Sequence, residues 1–124
     1  MKEITIIFLL SLNFPVIKGQ ADPANIIKGI ASYYSGKFEG KRCASGEIFR
    51  QENLTAAHKT LKFGTKIKVI NLQNDSSVIV KVNDRLPSRS KCCVDLNLSA
   101  AKQLNFVISG LAKVKIEILK DSLP

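Results

Sequence analysis

Through most of this chain, apolar and polar residues alternate with a period of two, the signature of strands that bury one face. Thr65 to Leu72 sets Ile67 and Val69 against Lys66 and Lys68. After the turn-forming Gln73-Asn74-Asp75-Ser76, the run Ser77 to Asn83 alternates again, so the two runs are predicted to form a hairpin. Ala112 to Leu119 points Ala112, Val114, Ile116 and Ile118 one way and Lys113, Lys115 and Glu117 the other. Gly29 to Tyr34, closed by Ser35-Gly36, and Cys93 to Leu96 read as two further strands. The pattern switches only at Leu98 to Leu104, which fits one short helix capped by Asn97 or Ser99. Short strands with hardly any helix predict a mainly β fold, a small closed barrel that leaves no long sheet edges. A parallel α/β sheet is disfavoured because its connecting helices are missing.

The start of the chain follows another rule. Ile4 to Ile17 is apolar apart from Thr5, Ser11, Asn13 and Pro15, with Lys2 in front and Gly19-Gln20-Ala21 behind. This predicts a secretory signal peptide over residues 1–21, cut after Ala21. The run is too short and interrupted to span a bilayer comfortably, and no cysteine follows closely enough to take a lipid. The expected product is a secreted or periplasmic protein with no stable membrane anchor: one domain over residues 22–124, working as a monomer.

Charge narrows the partners. The chain carries +9, of which Lys2, Lys18 and Glu3 in the leader supply +1 and the remainder +8. That excess favours a polyanion or a negatively charged cell wall. Six Phe, two Tyr and no Trp leave little surface for stacking bases, so nucleic acid is not expected. Cys43, Cys92 and Cys93 suit an exported protein in which Cys43 pairs with Cys92 or with Cys93 and one thiol is left over. With a single histidine and no Cys/His cluster at zinc spacing, no metal is expected.

Four polar residues stand out as chemistry. Val80-Lys81-Val82 runs into Asn83-Asp84-Arg85 before Leu86-Pro87 breaks the ladder, which holds a carboxylate at a rigid strand end. Asp95 sits between Val94 and Leu96, an unusual place for an acid unless it lines a cleft or takes hydrogen bonds. Glu47 follows the flexible Ala44-Ser45-Gly46, and His58 lies among the small residues of Thr55-Ala56-Ala57. Each has a plainer reading: a turn acid, a helix cap, a loop acid, a structural histidine. Two acids on different strands are also what glycosidic cleavage needs. Neither a Gly-x-Ser-x-Gly elbow nor a phosphate-binding glycine loop is present.

These residues resemble a known family. Gly29-Ile30-Ala31-Ser32-Tyr33-Tyr34, Phe38 to Glu47, Leu54-Thr55-Ala56-Ala57-His58-Lys59-Thr60-Leu61-Lys62-Phe63-Gly64-Thr65, Val82 to Pro87 and Val94-Asp95-Leu96 are similar, in order, to the motifs of the rare lipoprotein A family. The resemblance runs from Gly29 to about Leu119. It implies a six-stranded double-psi β-barrel related to expansins. It also implies a lytic transglycosylase that cuts peptidoglycan glycan strands, preferring those stripped of stem peptides, and needs no cofactor. Carried over by position, Glu47, His58, Asp84 and Asp95 are the catalytic candidates, with Asp84 favoured as the proton donor. Tyr34, Asn83, Arg85 and Lys59, within the same motifs, are the expected sugar contacts. The chain departs from the family at Glu39, where histidine is usual, at Leu86, where glycine is usual, and at Cys43, where threonine is usual. A non-catalytic, expansin-like wall-binding barrel is the alternative that the same residues allow.

Overall fold

The computed structural model describes residues 25–120, so the leader expected at residues 1–21 lies outside them. Six strands appear in the order β1 (Ile26–Tyr33), β2 (Thr55–His58), β3 (Lys66–Asn71), β4 (Ser77–Arg85), β5 (Val94–Leu96) and β6 (Ala112–Ile118). Among the described residues a 3-10 turn at Gly36–Phe38 follows β1, and one helix, α1 (Leu98–Gln103), follows β5. The strands close into a barrel in the order β1-β5-β2-β4-β3-β6. The β1/β5 and β2/β4 pairs are parallel and the others antiparallel.

The alternation read from sequence explains why the barrel closes. Ile67 and Val69 from β3, Val78, Val80 and Val82 from β4, and Val114 and Ile116 from β6 all point inward and are buried. Val94 and Leu96 complete the ring, and Ala100, Ala101 and Leu104 of the helical segment pack on it with Phe106. Tyr33 meets Phe106 edge to face at 5.7 Å and donates its hydroxyl to the Val107 carbonyl. The β3–β4 turn is tied to the end of the helix, because Asn71 Nδ2 and Asn74 Nδ2 both donate to the Leu104 carbonyl. Asp75 takes a φ of 63° in that turn, a conformation that Asp tolerates well.

Two local features depart from the sequence pattern. Thr55–His58 is a strand between β5 and β4, although its four residues show no alternation because all four are buried. Asn97 stands at the N-cap of α1 but makes no capping bond. Its amide donates to the Arg50 carbonyl and Thr55 Oγ1, while the Leu98 N–H goes to Gln51 Oε1.

Ile116 sits opposite Ile27 on one neighbour and Val69 on the other, fully buried. Ile116→Ala is expected to cost about 2–5 kcal/mol, read as a lower urea midpoint with an unchanged slope.

Candidate functional site

The register brings four residues into one line across four strands. Ser32 of β1 lies opposite Asp95 of β5, Asp95 opposite Ala57 of β2, and Ala57 opposite Asp84 of β4. Directly paired residues share a sheet face. Since Ala31, Val94, Leu96 and Ala56 point into the core, this row lies on the outer face of the barrel. Ala57, buried in the middle, places only a methyl group between the two carboxylates. Two strand spacings separate their Cα atoms by about 9–10 Å, close enough for both to reach one sugar ring.

Asp84 reaches this face only through an irregularity. Val78, Val80 and Val82 point inward, so strict alternation would send residue 84 inward as well. The β2/β4 register shifts between Ala56 and Ala57: Ala56 pairs with Val82, but Ala57 pairs with Asp84. Asn83 is the extra residue of this bulge, and it turns Asp84 outward. Asn83 itself is buried, and its carbonyl takes the Ser45 N–H.

The two acids have contrasting surroundings. Asp84 is held as an acceptor by three donors: the Tyr34 hydroxyl on Oδ2, and the Ala44 and Arg85 N–H groups on Oδ1, both at 2.9 Å. Asp95 accepts from the Ser32 hydroxyl at 2.9 Å. Burial pushes the Asp95 carboxyl above the usual carboxylate range; the Ser32 bond opposes this, and the negative charge of Asp84 adds to it. Tyr34 is wedged between Phe49 and Phe38, with ring centroids at 4.4 and 5.4 Å. Burial and then its bond to Asp84 hold its phenol far above the ordinary tyrosine value, so it stays a donor.

The other expected residues divide. Glu47 Oε2 pairs with Lys81 Nζ at 2.7 Å, and that bond keeps Glu47 below the usual carboxylate range. It is an ionised rim residue on the Asp84 side, since the Cys43 thiol lies within the field of both acids. His58 is not brought to the acids. Its neighbour Ala57 takes the acid face, and His58 Nδ1 instead accepts the Thr60 and Leu61 N–H groups at 3.1 Å. Burial first, then the charges of Arg85 and Lys59, lower its pKa, so the ring is a neutral turn-former. That turn presents Phe63, over which the Arg85 guanidinium stacks at 4.2 Å from the ring centre. Lys59 Nζ donates to the Ser90 carbonyl and holds the loop after β4. Ser32 and Ala57 had no signal in the sequence, because only pairing between distant strands gives them their place.

The departures from the family pattern are absorbed locally. Leu86 is buried without a positive φ, so nothing in its backbone calls for glycine, and its N–H goes to the His58 carbonyl. Glu39 accepts from the Gln51 N–H and from Arg50. The expected disulfide is absent: Cys43, Cys92 and Cys93 are all free thiols. Cys43 sits in the turn beside Asp84 and Glu47, whereas Cys93 packs against Gly29 and feels Cys92 and Lys59. Burial and the two nearby acids push the Cys43 thiol up to about 11. Thiol titration of denatured protein should find three reactive groups, with Cys43 reacting far more slowly than free cysteine in the native state. A count of one would restore the disulfide.

Comparison with known proteins gives the chain its relatives. The family described as "Lytic transglycolase" matches residues 26–116. The chain is 47% identical over 92 residues to a probable endolytic peptidoglycan transglycosylase RlpA of Synechocystis sp., covering 74% of this chain and 29% of that protein. It is 42% identical to the Haemophilus influenzae endolytic peptidoglycan transglycosylase RlpA (82% and 35% covered) and 46% identical to that of Rickettsia bellii (83% and 49%). The chain thus spans about a quarter to a half of the length of these relatives. Among solved structures, a Streptomyces papain inhibitor superposes with a TM-score of 0.63 at 18% identity, covering 86% of this chain and all of that one. A mutant Clavibacter michiganensis expansin in complex with cellohexaose also reaches 0.63, at 17% identity, covering 80% and 52%. These two likenesses concern the fold alone.

Proposed function

The chain belongs to the RlpA family of lytic transglycosylase domains with a double-psi β-barrel, and from that membership we propose that it cleaves peptidoglycan glycan strands outside the cytoplasm. Residues 1–21 would serve as the export signal. The observation that carries the chemistry is the unequal pair on one row: Asp95, half-buried, raised in pKa and bonded to one hydroxyl, beside Asp84, anchored by three donors.

The motif alone favoured Asp84 as proton donor; these surroundings favour Asp95. Its proton passes to the oxygen linking C1 of N-acetylmuramic acid to the next N-acetylglucosamine, and the C1–O bond breaks. The oxocarbenium character that develops at C1 lies near the fixed negative charge of Asp84. Asp95, now a carboxylate, takes the proton from the muramic C6 hydroxyl as O6 bonds to C1. This closes the 1,6-anhydro ring and returns Asp95 to its protonated form without consuming water. Glu47, ionised against Lys81, and Arg85, stacked on Phe63, flank the row as contacts for the sugar polymer. His58 and Lys59 shape the loops that carry those contacts.

The test is incubation with peptide-free glycan strands and mass spectrometry of the products. Anhydro-muramic ends are expected; reducing ends would mean hydrolysis, and intact strands a wall-binding barrel. A second measurement isolates Asp95. Its bond from Ser32 is the one influence that lowers its pKa. In Ser32→Ala the alkaline limb of the rate profile should therefore move to higher pH. A limb that stays put or moves down would take the donor role from Asp95.

A further inference from the structure

The side of the barrel opposite the acid row has a composition that the proposed reaction does not use. In the closed order, β6 stands diametrically across from β2, flanked by β1 and β3. Apart from Ser32, which belongs to the acid row, the outward positions of these three strands are Ile26, Lys28 and Ile30, then Lys113, Lys115 and Glu117, then Lys66, Lys68 and Ile70. Five lysines, three isoleucines and one acid fill the nine places. A face meant only for water would not need the isoleucines. Lys28 lies directly opposite Lys115, whose charge is met in part by Glu117 at 3.5 Å, so the face keeps a positive excess.

At one end of this face the apolar part deepens. Ile30, Leu72, Leu111 and Ala112 line an open groove of about 460 Å³ with Lys113 at its rim. Ile30, Leu72 and Leu111 are 36%, 46% and 54% exposed, and Ile108, three residues before Leu111 in the segment leading into β6, is completely exposed. Apolar side chains interleaved with lysines match a layer that offers negative charge at its surface and hydrocarbon just beneath it. A soluble polyanion would satisfy the lysines but leave the groove and Ile108 in water.

We propose that the β1–β6–β3 face binds the surface of an anionic lipid bilayer, with the lysines on headgroup phosphates and Ile108, Leu111 and Leu72 in the interfacial layer. The barrel then rests on a membrane with Asp84 and Asp95 turned away from it, toward the glycan. The inference is independent of the proposed cleavage chemistry.

The test is co-sedimentation of the exported protein with vesicles of phosphatidylglycerol and phosphatidylcholine, against vesicles of phosphatidylcholine alone. Binding to the anionic vesicles only is expected, weakening with salt. Replacing Lys28, Lys113 and Lys115 together by Gln should weaken it about 100-fold, at roughly fivefold per lysine. The Ile108→Ser/Leu111→Ser variant should lose the part of the binding that survives high salt. Both variants should keep the parent's melting temperature and its cleavage of soluble glycan fragments. Equal binding to neutral vesicles, no vesicle binding, or lysine variants that bind like the parent would each overturn the proposal. So would polyphosphate binding as tight as vesicle binding and indifferent to Ile108 and Leu111, which would assign the face to a soluble polymer.

Discussion

Asp95→Asn is expected to reduce cleavage of peptide-free glycan strands by about 10²–10⁴-fold while leaving the protein at least as stable at neutral pH. Both halves come from one cause. Burial raises the Asp95 pKa above its unfolded value, and the charge of Asp84 raises it further. The folded state therefore binds more protons than the unfolded state between those two values. Stability falls as pH rises through that window, and above it the ionised Asp95 is a net cost. The amide cannot ionise, so the variant avoids that cost and can still accept the Ser32 hydroxyl. A melting temperature at pH 7 that holds or rises, together with lost cleavage, separates a missing proton donor from a damaged fold. Near-parent cleavage by Asp95→Asn would remove it from the chemistry. A sharp fall in melting temperature would make it a structural residue.

The parts of this fold legible in the sequence were those whose pattern is local. β3, β4 and β6 each bury every second residue, and the turn at 73–76 has the residues that turns require. Asp84 and Asp95 also announced themselves, as carboxylates next to strand valines. What stayed hidden depends on partners far away in the chain. β2 shows no period because all four of its residues are buried, so the sequence pattern assigns no element to Ala57 and does not place it between the two acids. The bulge at Asn83 is not legible either: in Val80-Lys81-Val82-Asn83-Asp84 the alternation fails at Asp84, but only the pairing with Ala56 and Ala57 reveals the register shift that turns it outward. The Ser32–Asp95 bond joins residues 63 apart in sequence. His58 is conspicuous for the opposite reason: a lone histidine in a catalytic-looking motif stands out as text, while the local part played by its Nδ1, which accepts the Thr60 and Leu61 N–H groups, does not. The disulfide was inferred from compartment and number, which say nothing of which way Cys43 faces.

Asp84→Asn supplies the second large effect, and its pH signature differs from that of Asp95→Asn. Removing the fixed charge beside the developing oxocarbenium should cost about 10²–10³-fold in rate. It should also act on its neighbour. Because the Asp84 charge helps to raise Asp95, its loss should lower the Asp95 pKa and move the alkaline limb of the residual rate to lower pH. That shift runs opposite to the one expected for Ser32→Ala, so the two variants bracket the parent profile. Folding should tolerate the amide: its oxygen can keep the Ala44 and Arg85 N–H groups, and the Tyr34 hydroxyl can rotate to accept from its NH₂. Asp84→Ala, by contrast, leaves those donors without an acceptor, at about 1–3 kcal/mol for each one kept from water. The asparagine variant should therefore melt near the parent and the alanine variant well below it, with both nearly inactive. If the residual activity of Asp84→Asn followed the parent's pH profile, the two carboxylates would not be coupled, and the row from Ser32 to Asp84 would not work as one site.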